Sequence, residues 1–348
     1  MSLETTKKVS IIIPVYNVER YVADCINSVI SQTYDHSMIE CIIIDDCSLD
    51  HSMDVINMIV GQYNGDMTFI LLANSENKGQ SASRNRGLDI ATGEYIYFLD
   101  SDDYIYAQTI KKLMKVQDEY PDAEIIIGNT FDEGHNNIIH HISYSNVITD
   151  MNYLYCGRRI LTVWNQLIKR QIVERIGLRF KEGVYFEDIL WNYMIFQSMR
   201  KVVICSDITY FYRNNDGGTM QKTRTQKLKE CAEDYVVILK ECISWLHRPY
   251  LVGKSFIVFD TYIISYDYLE TVKNKIDNYN ELINSVLAIR KLFLQKLCYE
   301  RRPFLFLMAL MTYSPFFHLT KTHFFRRYYA RIMALFSYPA IFIDRFFK

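Results

Sequence analysis

Three carboxylates, Asp100, Asp102 and Asp103, follow directly on an apolar, aromatic run from Tyr95 to Leu99, with only Ser101 among them. A run of that kind reads as a buried strand. Like charges gathered at the end of a buried strand are costly unless a cation sits among them. Hard divalent ions such as Mg²⁺ or Mn²⁺ prefer carboxylate oxygens, keep several waters and take phosphate oxygens as further ligands. Asp100 and Asp102 are therefore candidate metal ligands at a metal–diphosphate site. The competing reading of the same four residues is a solvated acidic turn.

The elements that would position these residues alternate along the chain. Val9-Ser-Ile-Ile-Ile-Pro-Val-Tyr-Asn17 begins with a short apolar β-branched strand and ends in the turn Pro14-Val-Tyr-Asn17, and Tyr21, Val22, Cys25, Ile26, Val29 and Ile30 recur at helical spacing. Ile39 to Ile44 is a second strand ending in Asp45-Asp46, followed by a helix that Asp50 or Ser52 can cap. Met67 to Ala73 is a third strand, Ser81 to Ala91 a helix after the Asn77-Lys-Gly79 turn, and Ala123 to Gly128 a fifth strand after the Tyr95 to Leu99 run. Strands alternating with helices over short connections predict a mostly parallel α/β sheet with helices on both faces. Ligands of such sheets lie beyond the carboxyl ends of the strands. Here those ends carry Pro14, Tyr16, Asn17, Asp45, Asp46, Asn77, Asp100 and Asp102.

Further on, Glu133 to Met151 is irregular and bears His135, His140 and His141, which read as solvated rather than ligating. Arg158 to Gly177 is expected to be helical with Trp164 embedded, and the segment Arg179 to Asp188 opens another helix, Ile189 to Ser198. Val202 to Cys205 and Thr209 to Arg213 read as two closing strands, and Arg213 to Thr219 as either a phosphate-facing loop or a plain hairpin loop. The chain from Thr223 to Leu297 has helical periodicity. The expected organisation is a catalytic domain over 1–220, with a nucleotide half over 1–128 and an acceptor half over 129–220, then a helical region over 221–300 and a tail over 301–348.

A length of 348 residues, 49% of them hydrophobic, allows a large core, and a formal net charge of −1 excludes a generally basic nucleic-acid binder. The eight cysteines form no Cys-x-x-Cys pair and several lie in apolar runs, which favours buried thiols over disulfides or zinc. The first residues show no signal-peptide pattern, and no apolar run reaches the roughly 20 residues of a spanning helix. The expected location is cytoplasmic.

The segments Ser10-Ile-Ile-Ile-Pro-Val-Tyr-Asn17, Ile44-Asp-Asp-Cys-Ser48, Asn77-Lys-Gly-Gln-Ser-Ala-Ser-Arg-Asn85 and Asp100-Ser-Asp-Asp103 resemble, in order and spacing, the family 2 glycosyltransferases of the bacterial surface-polysaccharide type. Trp164-Asn165 and Phe186-Glu187-Asp188 match later signatures of that family, so the resemblance covers about 9–215. It implies a GT-A fold followed by a helical C-terminal region, and inverting transfer from a nucleotide-diphosphate sugar with Mn²⁺ or Mg²⁺ as cofactor. Pro14 and Tyr16 would flank the base, and Asp45 would pair with its imide N–H, which favours uracil. Asn77 and Arg84 would contact the nucleotide and its diphosphate. Asp100 and Asp102, with Ser101 between them in the same nucleotide-sugar-binding turn, would hold ribose, metal and diphosphate. Asp188 would be the catalytic base, and Trp164 and Glu187 would line the acceptor site. Cys47 departs from the pattern, which usually has glycine there. From the residues alone, Asp188 is also a helix-start carboxylate, Asp45 a turn residue, Arg84 a surface charge and Trp164 a core residue.

In the tail, Lys321, Arg326, Arg327, Arg331, Arg345 and Lys348 interleave with Phe324, Phe325, Tyr328, Tyr329, Phe336 and Phe342. Basic residues among aromatics describe a helix lying on a membrane surface, so peripheral contact with the inner membrane face is expected, where a lipid-linked saccharide acceptor would be met. The alternative is a helix packed on its own domain or on a second subunit of a homo-oligomer. Two other functions fit parts of the pattern. A nucleotidyltransferase would carry a glycine-rich loop after the first strand, where this chain has Pro14-Val-Tyr-Asn17. A non-catalytic sugar-nucleotide-binding scaffold would be expected to lose Asp100, Asp102 or Asp188, and all three are present.

Overall fold

The computed structural model describes residues 7–139, 146–148, 162–215, 227–245, 262, 265–266 and 268–299. His140 and His141, the loop beyond Asn215 and the basic aromatic tail lie outside the described residues.

The apolar run Val9–Val15 forms β1, and Ile39–Asp45 forms β2; every residue of both is buried. They pair in parallel, with β3 (Thr68–Ala73) beyond β2 and β4 (Tyr95–Phe98) on the other side of β1, also parallel. This is the predicted parallel half-sheet. Pro14 lies inside β1 rather than in the turn after it. The Ile12 carbonyl accepts from Leu99 N–H while the Val15 carbonyl accepts from Asp46 N–H. The backbone N–H and C=O groups of even-numbered β1 residues thus point to β4, and Pro14, two residues past the last β4 pair, removes no ladder hydrogen bond.

Alternate residues along β1 serve the two faces. Ile11 and Ile13 join Cys41 and Ile43 in one core with Val22, Cys25, Ile26 and Val29 of α1 (Val22–Ile30), Ile56 of α2 (Ser52–Gln62), and Ile110 and Leu113 of α4 (Thr109–Glu119). Ile12 and Ile44 face the other way, towards α3 (Gln80–Ile90). That helix has no apolar stripe, yet Ser81, Ser83, Arg84, Asn85, Gly87 and Leu88 are buried. The close approach depends on Gly87: a β-carbon there would lie 2.5 Å from Ile12 Cγ2 and 3.1 Å from Ile44 Cδ1.

The rest of the sheet mixes directions. Its order is β3-β2-β1-β4-β9-β6-β10-β5, where β5 is Tyr104–Ile105, β6 Ile125–Asp132, β9 Gln166–Lys169 and β10 Val202–Tyr212. The short β7 (Asn137–Ile139) and β8 (Asn146–Ile148) attach to β6 and β10. β9 is antiparallel to both β4 and β6. The predicted helix over Arg158 to Gly177 is therefore corrected within its described part: only α5 (Arg170–Ile176) is helical, and Trp164 precedes β9 in a parallel bridge to Phe98. Val163, Leu167 and Ile168 are buried as a central strand buries its residues, on both faces, which a helical period cannot distinguish over so short a run. The two predicted closing strands are one, β10, with register shifts between Ile204 and Tyr210. The polar residues that suggested a break sit in that irregularity, where Asn129 Nδ2 donates to Ser206 O at 2.8 Å.

The described residues group into two units, one drawn from 1–149, 162–183 and 199–218, the other from 184–198 and 219–348. In the second, α6 (Glu187–Gln197) packs against α7 (Leu228–Trp245), and α7 against α8 (Tyr279–Tyr299). No described helix is long and apolar enough to cross a membrane. The described cysteines are free, with Cys25, Cys41, Cys205, Cys231 and Cys242 buried, as their apolar context predicts.

Candidate active site

The carboxyl ends of β1, β2 and β4 bring the sequence-marked residues of the first unit to one rim. After β4 the chain turns through Asp100 to Asp103, closed by Asp103 N–H donating to Asp100 O at 3.1 Å. The three carboxylates then part company. Asp103 is buried and accepts from Tyr210 Oη at 2.7 Å and from Arg213 N–H at 2.8 Å. Burial, with Asp102 and Asp100 adding, pushes its pKa well above the carboxylate range. Asp103 braces the turn and is not open to a ligand. Asp100 Oδ1 pairs with Arg84 Nη2 at 2.7 Å, where the Arg84 side chain is 2% and that of Asp100 24% exposed. Asp102 Oδ2 accepts from Asn215 Nδ2 at 2.9 Å, and its pKa is raised by burial and then by the charge of Asp100.

Arg84 is no surface charge. Its guanidinium lies 5.3 Å from the centre of the Phe180 ring. Asn85 fixes that phenylalanine by accepting from its N–H at 2.8 Å and donating to its carbonyl at 3.0 Å. A buried cation beside two carboxylates is an arrangement that can meet a diphosphate: the cation addresses phosphate oxygens directly, and the carboxylates can do so through a metal.

Two adjacent loops complete the rim. Tyr16 is 42% exposed. Asn17, at a φ of 51°, accepts from Leu49 N–H at 2.7 Å and its own N–H donates to Ser48 Oγ at 3.2 Å, which ties the β1 and β2 exits together. Asp45 Oδ1 accepts from Ser48 N–H at 2.9 Å. Cys47 adopts a φ of 64°, so the turn that glycine would favour is kept by a residue with a side chain. Asn77 is exposed in the following loop. Asp46 shapes that loop by accepting from Lys78 N–H at 2.9 Å, Gly79 N–H at 2.7 Å and Asn74 Nδ2 at 2.7 Å.

Trp164 is 7% exposed and stacks on Tyr210 and Tyr212, with ring centres at 4.6 and 5.6 Å. It belongs to the aromatic support beneath the acidic turn, since Tyr210 also receives Asp100 N–H. Its neighbour Asn165, at a φ of 58°, donates to Asn129 O and Thr130 Oγ1, each at 3.0 Å, and accepts from Thr209 Oγ1 at 2.7 Å. Arg213 turns onto α1, pairing with Asp24 at 2.8 Å and lying over the rings of Tyr21 and Tyr104.

In the second unit Glu187 and Asp188 open α6. Glu187 is 2% exposed, while Asp188 is half-buried and its Oδ1 accepts from Ile189 N–H at 2.9 Å.

Asp46, Asp103 and Asn165 stand in the sequence motifs without the bracing roles found for them here, and the sequence does not single out Tyr210. A signal existed for the first: in Asp45-Asp46 successive strand residues point to opposite faces, so the pair cannot share one role.

Residues 10–177 match the model of glycosyl transferase family 2. That stretch is a glycosyl transferase family 2 domain. Its relatives include glycosyltransferase GlyA of Streptococcus pneumoniae, 32% identical over 234 residues, a match covering 63% of this chain but only 32% of that protein. Glycosyltransferase GlyG of the same organism is 28% identical over 251 residues, 68% of this chain and 79% of GlyG. The fold of the glycosyltransferase is that of Staphylococcus aureus TarS, whose residues 1–349 have been solved with UDP-GlcNAc: the TM-score is 0.67 at 20% identity, over 83% of this chain and 81% of the TarS chain.

Among the described residues no group of three or more His, Cys, Asp or Glu side chains converges as a metal cage. Asp100 and Asp102 nevertheless fit a divalent cation that takes one or two carboxylates from protein and the rest of its shell from phosphate and water.

Proposed function

We propose that this glycosyltransferase moves one sugar from a UDP-sugar to a hydroxyl of a saccharide or lipid-linked saccharide, with inversion, in surface-polysaccharide or glycoconjugate assembly. The observation that carries the reading is the buried Arg84 paired with Asp100 at 2.7 Å beside Asp102. Such a site has a fixed cation and a metal-ligating pair at the carboxyl rim, where a diphosphate leaving group would need them.

The free oxygen of Asp45 is suited to accept the imide N–H of uracil, with Tyr16 against the base. Arg84 addresses the diphosphate, and Asp100 and Asp102 would hold Mn²⁺ or Mg²⁺. When bound, that ion offsets charge on the departing diphosphate. Asp188 accepts the proton of the acceptor hydroxyl as its oxygen bonds to C1 of the sugar. The C1–O bond to the β-phosphate breaks, and its electron pair leaves with UDP. With one base and no protein nucleophile the displacement is single and inverts C1. The family motif Phe186-Glu187-Asp188 supports this role for Asp188.

The test is release of UDP from UDP-glucose, UDP-galactose, UDP-GlcNAc and UDP-GalNAc, with and without Mn²⁺, by wild type and Asp188→Asn. One donor should bind both proteins in the presence of metal and be turned over by wild type alone. Equal turnover by Asp188→Asn would remove the base assignment; absence of binding by every donor would remove the UDP-sugar reading.

A further inference from the structure

Helices ordinarily begin after a Ser, Thr, Asp or Asn cap in extended conformation. The one that carries Asp188 does not. Its N-cap is Phe186, at φ 62° and ψ 31°, with no side-chain cap hydrogen bond. A bulky residue in the left-handed region persists only where its surroundings hold it there. The Phe186 ring stacks on Tyr235 of α7 at 4.6 Å and 23°, and meets the edge of Tyr268 at 6.5 Å; Tyr235 and Tyr268 are themselves 4.9 Å apart. One residue earlier, Tyr185 N–H donates to Asp234 Oδ2 at 2.8 Å, and the Tyr185 hydroxyl is bonded by Lys227. Farther along the helix, Tyr193 Oη donates to Cys242 O at 2.9 Å. Asp188 is close enough that its charge, after burial, helps raise the Tyr235 phenol.

We propose that Asp234 and Tyr235, through Phe186, are positioning residues for Asp188: α7 holds residue 186 left-handed, and that geometry aims the Asp188 carboxylate. This rests on Asp188 being the base. It places part of the catalytic apparatus in α7, beyond the family-matched residues 10–177. Asp234 and Tyr235 touch no substrate in this account; their effect passes entirely through the start of α6.

The test uses the full chain, Mn²⁺ and whichever of the four UDP-sugars wild type hydrolyses fastest, and compares Asp234→Ala, Asp234→Asn, Phe186→Gly and Asp188→Asn. Asp234→Ala should lower kcat at least tenfold with the donor KM within threefold of wild type. Asp234→Asn keeps an acceptor for the Tyr185 N–H and should restore kcat to within about threefold. Phe186→Gly adopts the same backbone without strain but loses the stack, and should also lower kcat at unchanged KM; it decides the matter if Asp234→Ala does not fold. If Asp188→Asn is inactive while folded Asp234→Ala and Phe186→Gly turn over like wild type, the positioning role is wrong and the base stands. A fall in kcat and rise in KM together, in step with lost thermal stability, also overturns it, as a merely structural effect. Wild-type turnover by Asp188→Asn removes the base reading and this inference with it.

Discussion

At the scale of single residues, the account turns on which carboxylate does what. Asp100, Asp102 and Asp103 are neighbours in sequence, yet Asp103 is committed to Tyr210 and Arg213, while Asp100 meets Arg84 and Asp102 meets Asn215, the two proposed as ligands. Arg84→Ala removes a buried cation and leaves Asp100 uncompensated. It should cut kcat/KM for the donor by about 10²-fold, the usual cost of losing one charge-stabilising donor, and Arg84→Lys should rescue only part of it because a lysine lacks the planar fork. Glu40 gives a prediction remote from the rim. Its burial alone would raise its pKa, but Lys8, Ser10 and Thr92 hydrogen-bond it and hold it at about 2. A carboxylate depressed in the folded state from 4.5 to about 2 binds fewer protons there than when unfolded. Its contribution, about 3 kcal/mol, is complete above pH 4.5 and lost progressively as pH falls towards 2. Urea denaturation between pH 6 and 3 should show Glu40→Gln less stable at pH 6 and the gap to wild type narrowed to about half by pH 3.

At the scale of elements, close packing explains the site better than any one side chain. Gly87 lets α3 settle on Ile12 and Ile44, and that brings Arg84 within 2.7 Å of Asp100. Gly87→Ala improves helix propensity by about 1 kcal/mol but overpacks a buried contact at a cost of about 1–3 kcal/mol. The expected net result is a lower Tm together with weaker donor binding. The turn after β2 should respond oppositely: Cys47→Gly removes left-handed strain and should stabilise the protein by about 0.5–1 kcal/mol in denaturant titration. Much of this level was legible. Short connections between β-branched runs located the rim, and the exits at Asp45, Asn77 and Asp100 lie where the strand ends predicted. Trp164 was misplaced on a helix because the strand residues Gln166 to Ile168 are all buried and carry no alternation. The roles of Asp46 and Asn165 were hidden because their partners, Gly79 N–H and Thr209, come from distant loops and strands.

At the scale of the whole molecule, the sheet and the α6–α7–α8 helices divide the proposed chemistry: donor residues belong to the first unit, the proposed base to the second. The basic aromatic tail over 301–348 adds a proposed third role, contact with an anionic membrane surface. Deleting it should abolish co-sedimentation with vesicles containing phosphatidylglycerol and leave UDP-sugar hydrolysis intact; equal sedimentation of both forms would end that reading. The most direct test of the central claim is calorimetry of UDP binding with and without Mn²⁺, on wild type and Asp102→Asn. Binding by wild type should strengthen at least tenfold with Mn²⁺, and Asp102→Asn should lose that enhancement. Binding of UDP with the same affinity in all four cases would contradict that claim.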